Sequence, residues 1–197
     1  MRDLVDLARH LLNPEEAATL GAPGRVDAAV LVPVFETPAG PTLVFTERHA
    51  DLRKHAGEIS FPGGRREQGE DYVTTALREA QEEIGLDPAD VEVLGALRPS
   101  GTFVTNFRIH PIVARIPAGI AWRLQPTEVA QVLEFSIADL VAGHSTRRLW
   151  EKKVPIRMPH FTVDGHLVWG ATARIVDQLL RRAGVDLGPE IRLDSLD

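Results

Sequence analysis

No cysteine occurs among the 197 residues. Disulfides, thiolate nucleophiles and thiolate metal ligands are therefore all excluded. No apolar run approaches the length of roughly 18 residues that a membrane-spanning helix needs. The opening stretch, MRDLVDLARHLLNPEE, is too interrupted by charge for the apolar part of a secretory leader. The closing DSLD matches no peroxisomal or retention address. The expectation is a cytoplasmic protein that does not engage a membrane. Basic residues are not in excess: 22 Lys and Arg stand against 28 Asp and Glu, a net charge of −6. A general nucleic-acid binder carries a basic footprint, so no nucleic-acid partner is expected. There is no internal repeat and no low-complexity linker. What remains is ordinary for a globular chain and long enough to bury one sizeable core.

The informative stretch runs from Gly57 to Leu86, GEISFPGGRREQGEDYVTTALREAQEEIGL. It opens with a glycine-rich turn at Phe61-Pro62-Gly63-Gly64 and closes on a helix cap at Gly85. Between them the spacing predicts a helix from about Asp71 to Ile84, anchored by an apolar stripe of Ala76, Leu77, Ala80 and Ile84. Glu79, Glu82 and Glu83 share another face of that helix. Like charges at this spacing repel by roughly 0.2–0.5 kcal/mol per pair. Two readings are open. The acids form a solvated face, or a divalent cation such as Mg2+, which prefers carboxylate oxygens, compensates them.

The pattern Gly64-x5-Glu70-x7-Arg78-Glu79-Ala80-Gln81-Glu82-Glu83-Ile84-Gly85-Leu86 resembles the signature of the Nudix hydrolases, G-x5-E-x7-R-E-U-x-E-E-x-G-U with U aliphatic. Every fixed position matches, with a small Ala80 where a bulkier aliphatic residue is usual. The resemblance implies metal-dependent hydrolysis of a pyrophosphate with Mg2+ or Mn2+, and metal ligands at Glu79, Glu82 and Glu83. It makes Arg78 a buttress that orients carboxylates, with Glu70 as its expected partner, a task suited to a forked guanidinium. The general base is expected either on the helix, at Glu82, or on a loop far along the chain, at Glu128.

Ahead of that motif, Thr46-Glu47-Arg48 is followed by Arg53, Gly57 and Phe61-Pro62-Gly63-Gly64. The spacing Arg48-x4-Arg53-x3-Gly57-x3-Phe61 is similar to the extra motif of the coenzyme A pyrophosphatase subfamily. Val44-Phe45 replaces a leucine pair, and His49 stands where Ser or Ala is usual. Coenzyme A carries a 3′-phosphate besides its diphosphate. The basic run Arg48, His49, Arg53, Lys54 and His55 offers charge-assisted hydrogen bonds to such a group. The expected substrate-binding residues are Arg48, Arg53, Lys54, Gly57, Phe61, Gly63 and Gly64, with Ser100 to Phe103 and Asn106 as further pocket candidates. The expected activity is cleavage of coenzyme A, or its acyl or oxidised forms, to 3′,5′-ADP and 4′-phosphopantetheine. The alternatives are a Nudix pyrophosphatase for another nucleotide (ADP-ribose, a dinucleoside polyphosphate or a nucleoside triphosphate) and a Nudix module that senses a nucleotide without cleaving it. The partner is a small molecule, and both monomer and homodimer stay open.

The rest of the chain reads as strands at 26–36, 42–48, 58–61, 91–98, 107–116 and 129–135, a short helix near 137–141, strands within 154–169 and a helix at 170–183. Pro33 suggests a bulge or an edge position. A helix is expected at about 3–12, and a loosely held tail at about 184–197. This order predicts an α/β (α+β) chain, a mixed sheet between helical layers in one domain over 1–197, the sandwich that the Nudix resemblance also implies.

Overall fold

The computed structural model describes residues 7–49, 57–102, 105–151 and 154–188. An eight-stranded mixed sheet dominates. Its main path runs β3 (Ile59–Ser60), β2 (Gly40–Arg48), β1 (Val26–Thr37), β7 (Phe107–Arg115), β5 (Glu92–Ala96). Three more strands branch from it: β4 (Gly63–Arg65) on β1, β6 (Ser100–Gly101) on β7, and β8 (Val129–Ser136) on β2. β1 and β7 are parallel, residues 26–34 of β1 pairing with the whole of β7, and the other pairings are antiparallel. The fold is of the α+β class.

Both faces of the sheet are covered, which is why β1 reads as a continuous apolar run and not an alternating one. One face of β1 presents Ala29, Leu31 and Phe35 to a helix, α2 (Tyr72–Ile84), which buries Ala76, Ala80 and Ile84 there. The opposite face presents Val32 and Val34, which join Phe45, Phe61 and Phe135. A three-stranded sheet, β9 (His144–Glu151), β10 (Val154–Val163) and β11 (His166–Val168), covers that side together with α4 (Gly170–Arg182). Two short helices, α1 (Pro14–Ala18) and α3 (Ile137–Ala142), are also present.

Pro33 does not mark an edge. It lies in a central strand, between the residues of β1 that pair with β4 (28–30) and those that pair with β2 (34–37). Pro111 sits likewise on β7, between the stretches paired with β6 and with β5. A missing N–H is tolerated where the neighbouring strand changes. The tail is held further than expected: Val185 and Leu187 pack against the core, and the Val185 amide donates to the Leu180 carbonyl at 2.9 Å. Of the expected first helix, Leu7 and Ala8 are helical and Leu7 is fully buried; residues 3–6 lie outside the described part. No helix among the described residues is long and apolar enough to cross a membrane.

Candidate active site

The helix α2 is delimited by its own sequence. Asp71 is the N-cap, its Oδ1 accepting from the Thr74 amide at 2.7 Å. Gly85 ends it at φ +69°, and a Cβ there would lie 2.8 Å from the Arg123 Cβ, so glycine is required twice over. The amides of Arg123 and Gln125 donate to the Ile84 and Glu83 carbonyls at 3.0 and 2.9 Å. They thereby fasten the loop that carries Glu128 to the end of the helix. On its other side, the Glu128 carbonyl accepts from the His49 amide at 2.9 Å.

The paired glycines of β4 are needed for close approach. A Cβ on Gly63 would meet the Ala29 carbonyl oxygen at 2.4 Å. A Cβ on Gly64 would meet the carboxylate of Glu79 at 2.4–2.6 Å. The turn therefore lies flat against β1 below it and against a helix glutamate above it. The Gly63 amide donates to Glu83 Oε2 at 3.2 Å.

Arg78 gathers the acids. Its Nε donates to Glu70 Oε1 at 2.7 Å and its Nη2 to Glu70 Oε2 at 3.2 Å. Its Nη1 donates to Glu79 Oε1 at 3.0 Å and to Glu82 Oε2 at 3.2 Å, and Nη2 also reaches the Arg65 carbonyl at 3.2 Å. Hydrogen bonds from Arg78, Thr75 and the Glu67 amide hold Glu70 down at a pKa of about 2. A lysine has no fork to make these contacts at once.

The three helix glutamates do not all face solvent. Glu83 is 5% exposed, Glu79 is half-buried, and only Glu82 is exposed. The uniformly solvated face is thus excluded. Burial pushes Glu83 up to about 8; the charges of Glu79 and Glu128 add to the rise, and the Gly63 amide and Arg48 oppose it. Burial likewise raises Glu79, with Arg78 opposing and Glu82 and Glu128 adding. The fold therefore brings Arg48, Glu79, Glu83 and Glu128 within electrostatic reach from three separate segments. Among the described residues, no three His, Asp or Glu side chains are drawn into a finished metal cage; Arg78 holds Glu79 and Glu82, while Glu83 leans on Gly63. The donor set fits a hard divalent cation all the same. Buried carboxylates whose ionisation is opposed by burial and by one another are compensated by such an ion.

An open cleft of about 470 Å³ adjoins Glu79, lined by Arg65, Arg66, Glu67, Gln68 and Glu79. Arg65, Arg66, Glu67 and Gln68 fill variable positions of the motif and are not among the residues the sequence singled out. Phe61, expected at the substrate, is instead core. It is 2% exposed and stacks on Phe45 with centroids 4.6 Å apart. Gly57 serves the backbone: at φ +68° it closes the β2–β3 connection, its amide donating to the Arg48 carbonyl at 3.1 Å. Thr102 closes the turn before β7, its Oγ1 accepting from the Phe107 amide at 2.8 Å. Asn106 takes φ 59°, and its carbonyl accepts from the Arg25 and Val26 amides. Arg53, Lys54, His55 and Phe103 lie outside the described residues.

The NUDIX domain family matches residues 25–155, about two thirds of the chain. This chain belongs to the Nudix family. A protein from Salmonella newport named "Uncharacterized Nudix hydrolase NudL" is 36% identical over 170 residues, covering 80% of this chain and 83% of the relative. The Nudix hydrolase RenU from M. smegmatis shares the fold at a TM-score of 0.54 and 16% identity, over 86% of this chain and 91% of that one. A MutT/nudix family protein from Enterococcus faecalis does so at 0.57 and 14% identity, over 81% and 62%. This Nudix protein is an enzyme of the pyrophosphatase class, and Nudix hydrolases generally use divalent ions such as Mg2+ or Mn2+.

Proposed function

We propose that this Nudix hydrolase cleaves the diphosphate of coenzyme A, or of its acyl or oxidised forms, yielding 3′,5′-ADP and 4′-phosphopantetheine or its derivative. The observation that carries this reading is Arg48. It opens the basic motif that precedes the Nudix signature, and it stands on β2 beside Glu83, where its charge lowers that carboxyl's pKa. Its Nε is buried and has no hydrogen-bond partner among the described residues. An unpaired buried donor is costly, and a phosphate oxygen is the partner that a guanidinium suits best. Arg53 and Lys54 follow in the same motif and are assigned to the same substrate.

Glu79, Glu82 and Glu83 would hold Mg2+ or Mn2+, with Arg78 keeping Glu79 and Glu82 oriented. When bound, such an ion polarises the diphosphate and acidifies a water. The chain's own part is positional and protonic. Gly63 and Gly64 let the turn lie against β1 and against the Glu79 carboxylate, which brings it beside the site. Glu128, on a segment tied by backbone hydrogen bonds to the end of α2 and to His49, would take the proton of the attacking water, with Glu82 as the helix-borne alternative. A base acts within about 3 Å of that proton, directly or through one water.

Product analysis by mass spectrometry tests the reading. Purified protein is incubated with Mn2+ and, separately, coenzyme A, ADP-ribose, a dinucleoside polyphosphate and nucleoside triphosphates. The expected outcome is 3′,5′-ADP and phosphopantetheine, formed much faster than any other product. Faster cleavage of another nucleotide sinks the coenzyme A assignment and leaves the pyrophosphatase. Binding without cleavage of any of them points to a sensing module.

A further inference from the structure

We propose that Asp27, on β1 and outside the Nudix signature, is a positioning residue for the carboxylates of the site, acting through Arg66, Glu70 and Arg78. The inference rests on the reading that Glu79, Glu82 and Glu83 hold a divalent cation.

The contacts form an unbroken chain of hydrogen bonds, in which the link from Arg66 to Glu70 goes to the backbone carbonyl. Asp27 Oδ2 accepts from Arg66 Nη2 at 3.1 Å, and the Asp27 carbonyl accepts from the Arg66 amide at 3.0 Å. Arg66 Nη1 donates to the Glu70 carbonyl at 3.2 Å. The Glu70 carboxylate is gripped by Arg78, whose Nη1 reaches Glu79 and Glu82. Arg66 is held in place from the side as well. It lies over the Tyr72 ring, 5.0 Å from the centroid, and buried His110 stacks on that ring at 3.5 Å and 10°. A second cation, Arg108, backs Asp27, its Nη1 standing 3.6 Å from Oδ1.

The arrangement answers a mechanical need. Residues 66–69, between β4 and α2, are all exposed, so the sheet core does not fix Glu70. Glu70 must nevertheless sit where Arg78 can span it and Glu79 together. Asp27 transfers the rigidity of a central strand to that loop. The Asp27–Arg66 pair is itself half-exposed, and such pairs add little to global stability, roughly 0–1 kcal/mol. Misplacing catalytic groups by a fraction of an ångström is felt far more strongly in turnover. A positioning role and a merely structural one therefore predict different readouts.

The test compares Asp27→Asn, Arg66→Gln and the double variant with wild type; Glu92→Gln, in a remote surface pair with Arg115, serves as the control. Mn2+ uptake by the substrate-free protein is followed by electron paramagnetic resonance, alongside kcat, KM and thermal melting. Substitutions behind metal ligands typically cost about 10–100-fold. One contact further out, each single variant is expected to weaken Mn2+ binding and lower kcat by about 3–10-fold, with KM within about twofold and melting nearly unchanged. The double variant is expected to be no worse than Arg66→Gln alone, because Asp27 acts through Arg66. Wild type that takes up no Mn2+ overturns the metal reading and this inference with it. Wild type that binds Mn2+, with variants that bind it and turn over equally well, overturns the positioning role alone. Additive losses in the double variant, or losses that track melting, overturn it too.

Discussion

Replacing Glu83 by glutamine is expected to make the metal-free protein more stable and the enzyme inactive. The side chain keeps its size, and an amide oxygen can still accept from the Gly63 amide, now at 3.2 Å from Oε2. What disappears is a buried carboxyl whose pKa rises from 4.5 to about 8, chiefly through burial. Because the folded value lies above the unfolded one, the contribution to stability is complete below about 4.5 and is lost as pH climbs through about 8. At about 1.36 kcal/mol per pH unit, the wild type gives up roughly 3 kcal/mol by pH 7 and about 4 by pH 8. Against a total stability of about 5–15 kcal/mol this is measurable. Urea unfolding in EDTA, from pH 5 to pH 8.5, should show wild-type stability falling towards alkaline pH more steeply than that of Glu83→Gln. Adding Mn2+ should raise wild-type stability by mass action and leave the variant almost unmoved. Turnover of the variant should be undetectable. Parallel pH profiles would refute the buried-carboxyl argument, and near-normal turnover would refute the ligand assignment.

Gly64→Ala places a Cβ against the Glu79 carboxylate at 2.4–2.6 Å; kcat should fall at least about tenfold with a small change in melting temperature, since a displaced carboxylate is a local event. Arg78→Lys loses a fork that serves Glu70, Glu79 and Glu82 together; a destabilisation of about 1–3 kcal/mol in urea and a large drop in kcat are expected. Glu70, held at about 2 by Arg78, contributes stability above about 4.5 that disappears as pH falls through about 2; acid titration of Glu70→Gln followed by circular dichroism should lack that step. Glu128→Gln should lower kcat by about 10²–10⁴ if it is the base, with Mn2+ affinity nearly unchanged; an unaffected kcat in that variant, with a comparable loss in Glu82→Gln, assigns the base to the helix. Arg53→Gln should weaken coenzyme A turnover far more than turnover of a nucleotide without the 3′-phosphate, and equal losses would remove the reason for preferring coenzyme A.

Local chemistry was legible before any fold was known. The stop at Gly85 and the apolar stripe of α2 follow from residue type and spacing, because they involve neighbours on one helix or its flanking turn, while the Arg78–Glu70 pairing was implied by the Nudix resemblance. β1, β2, β7 and β8 were readable for the same reason, as runs long enough to show their period. β9 escaped, since HSTRRLWE is polar and its pairing with β10 is what makes it a strand. Pro33 misled, because whether a proline sits at an edge depends on which partner lies beside it. Phe61 misled as well: its place in the motif says nothing about which side of the sheet it faces, and the stacking on Phe45 decides that it is core.

By itself, then, the sequence pointed to the reaction class, through a spacing of one arginine and three glutamates on a single helix next to paired glycines that resembles the Nudix signature. The tertiary structure decided how unequal those glutamates are. Only packing against the sheet could bury Glu83 while leaving Glu82 in water, bring Arg48 and Glu128 beside it, and tie the loop of the motif to Asp27. Side-chain spacing is a property of one helix; burial, desolvation and the charges that act across strands belong to the assembled layers.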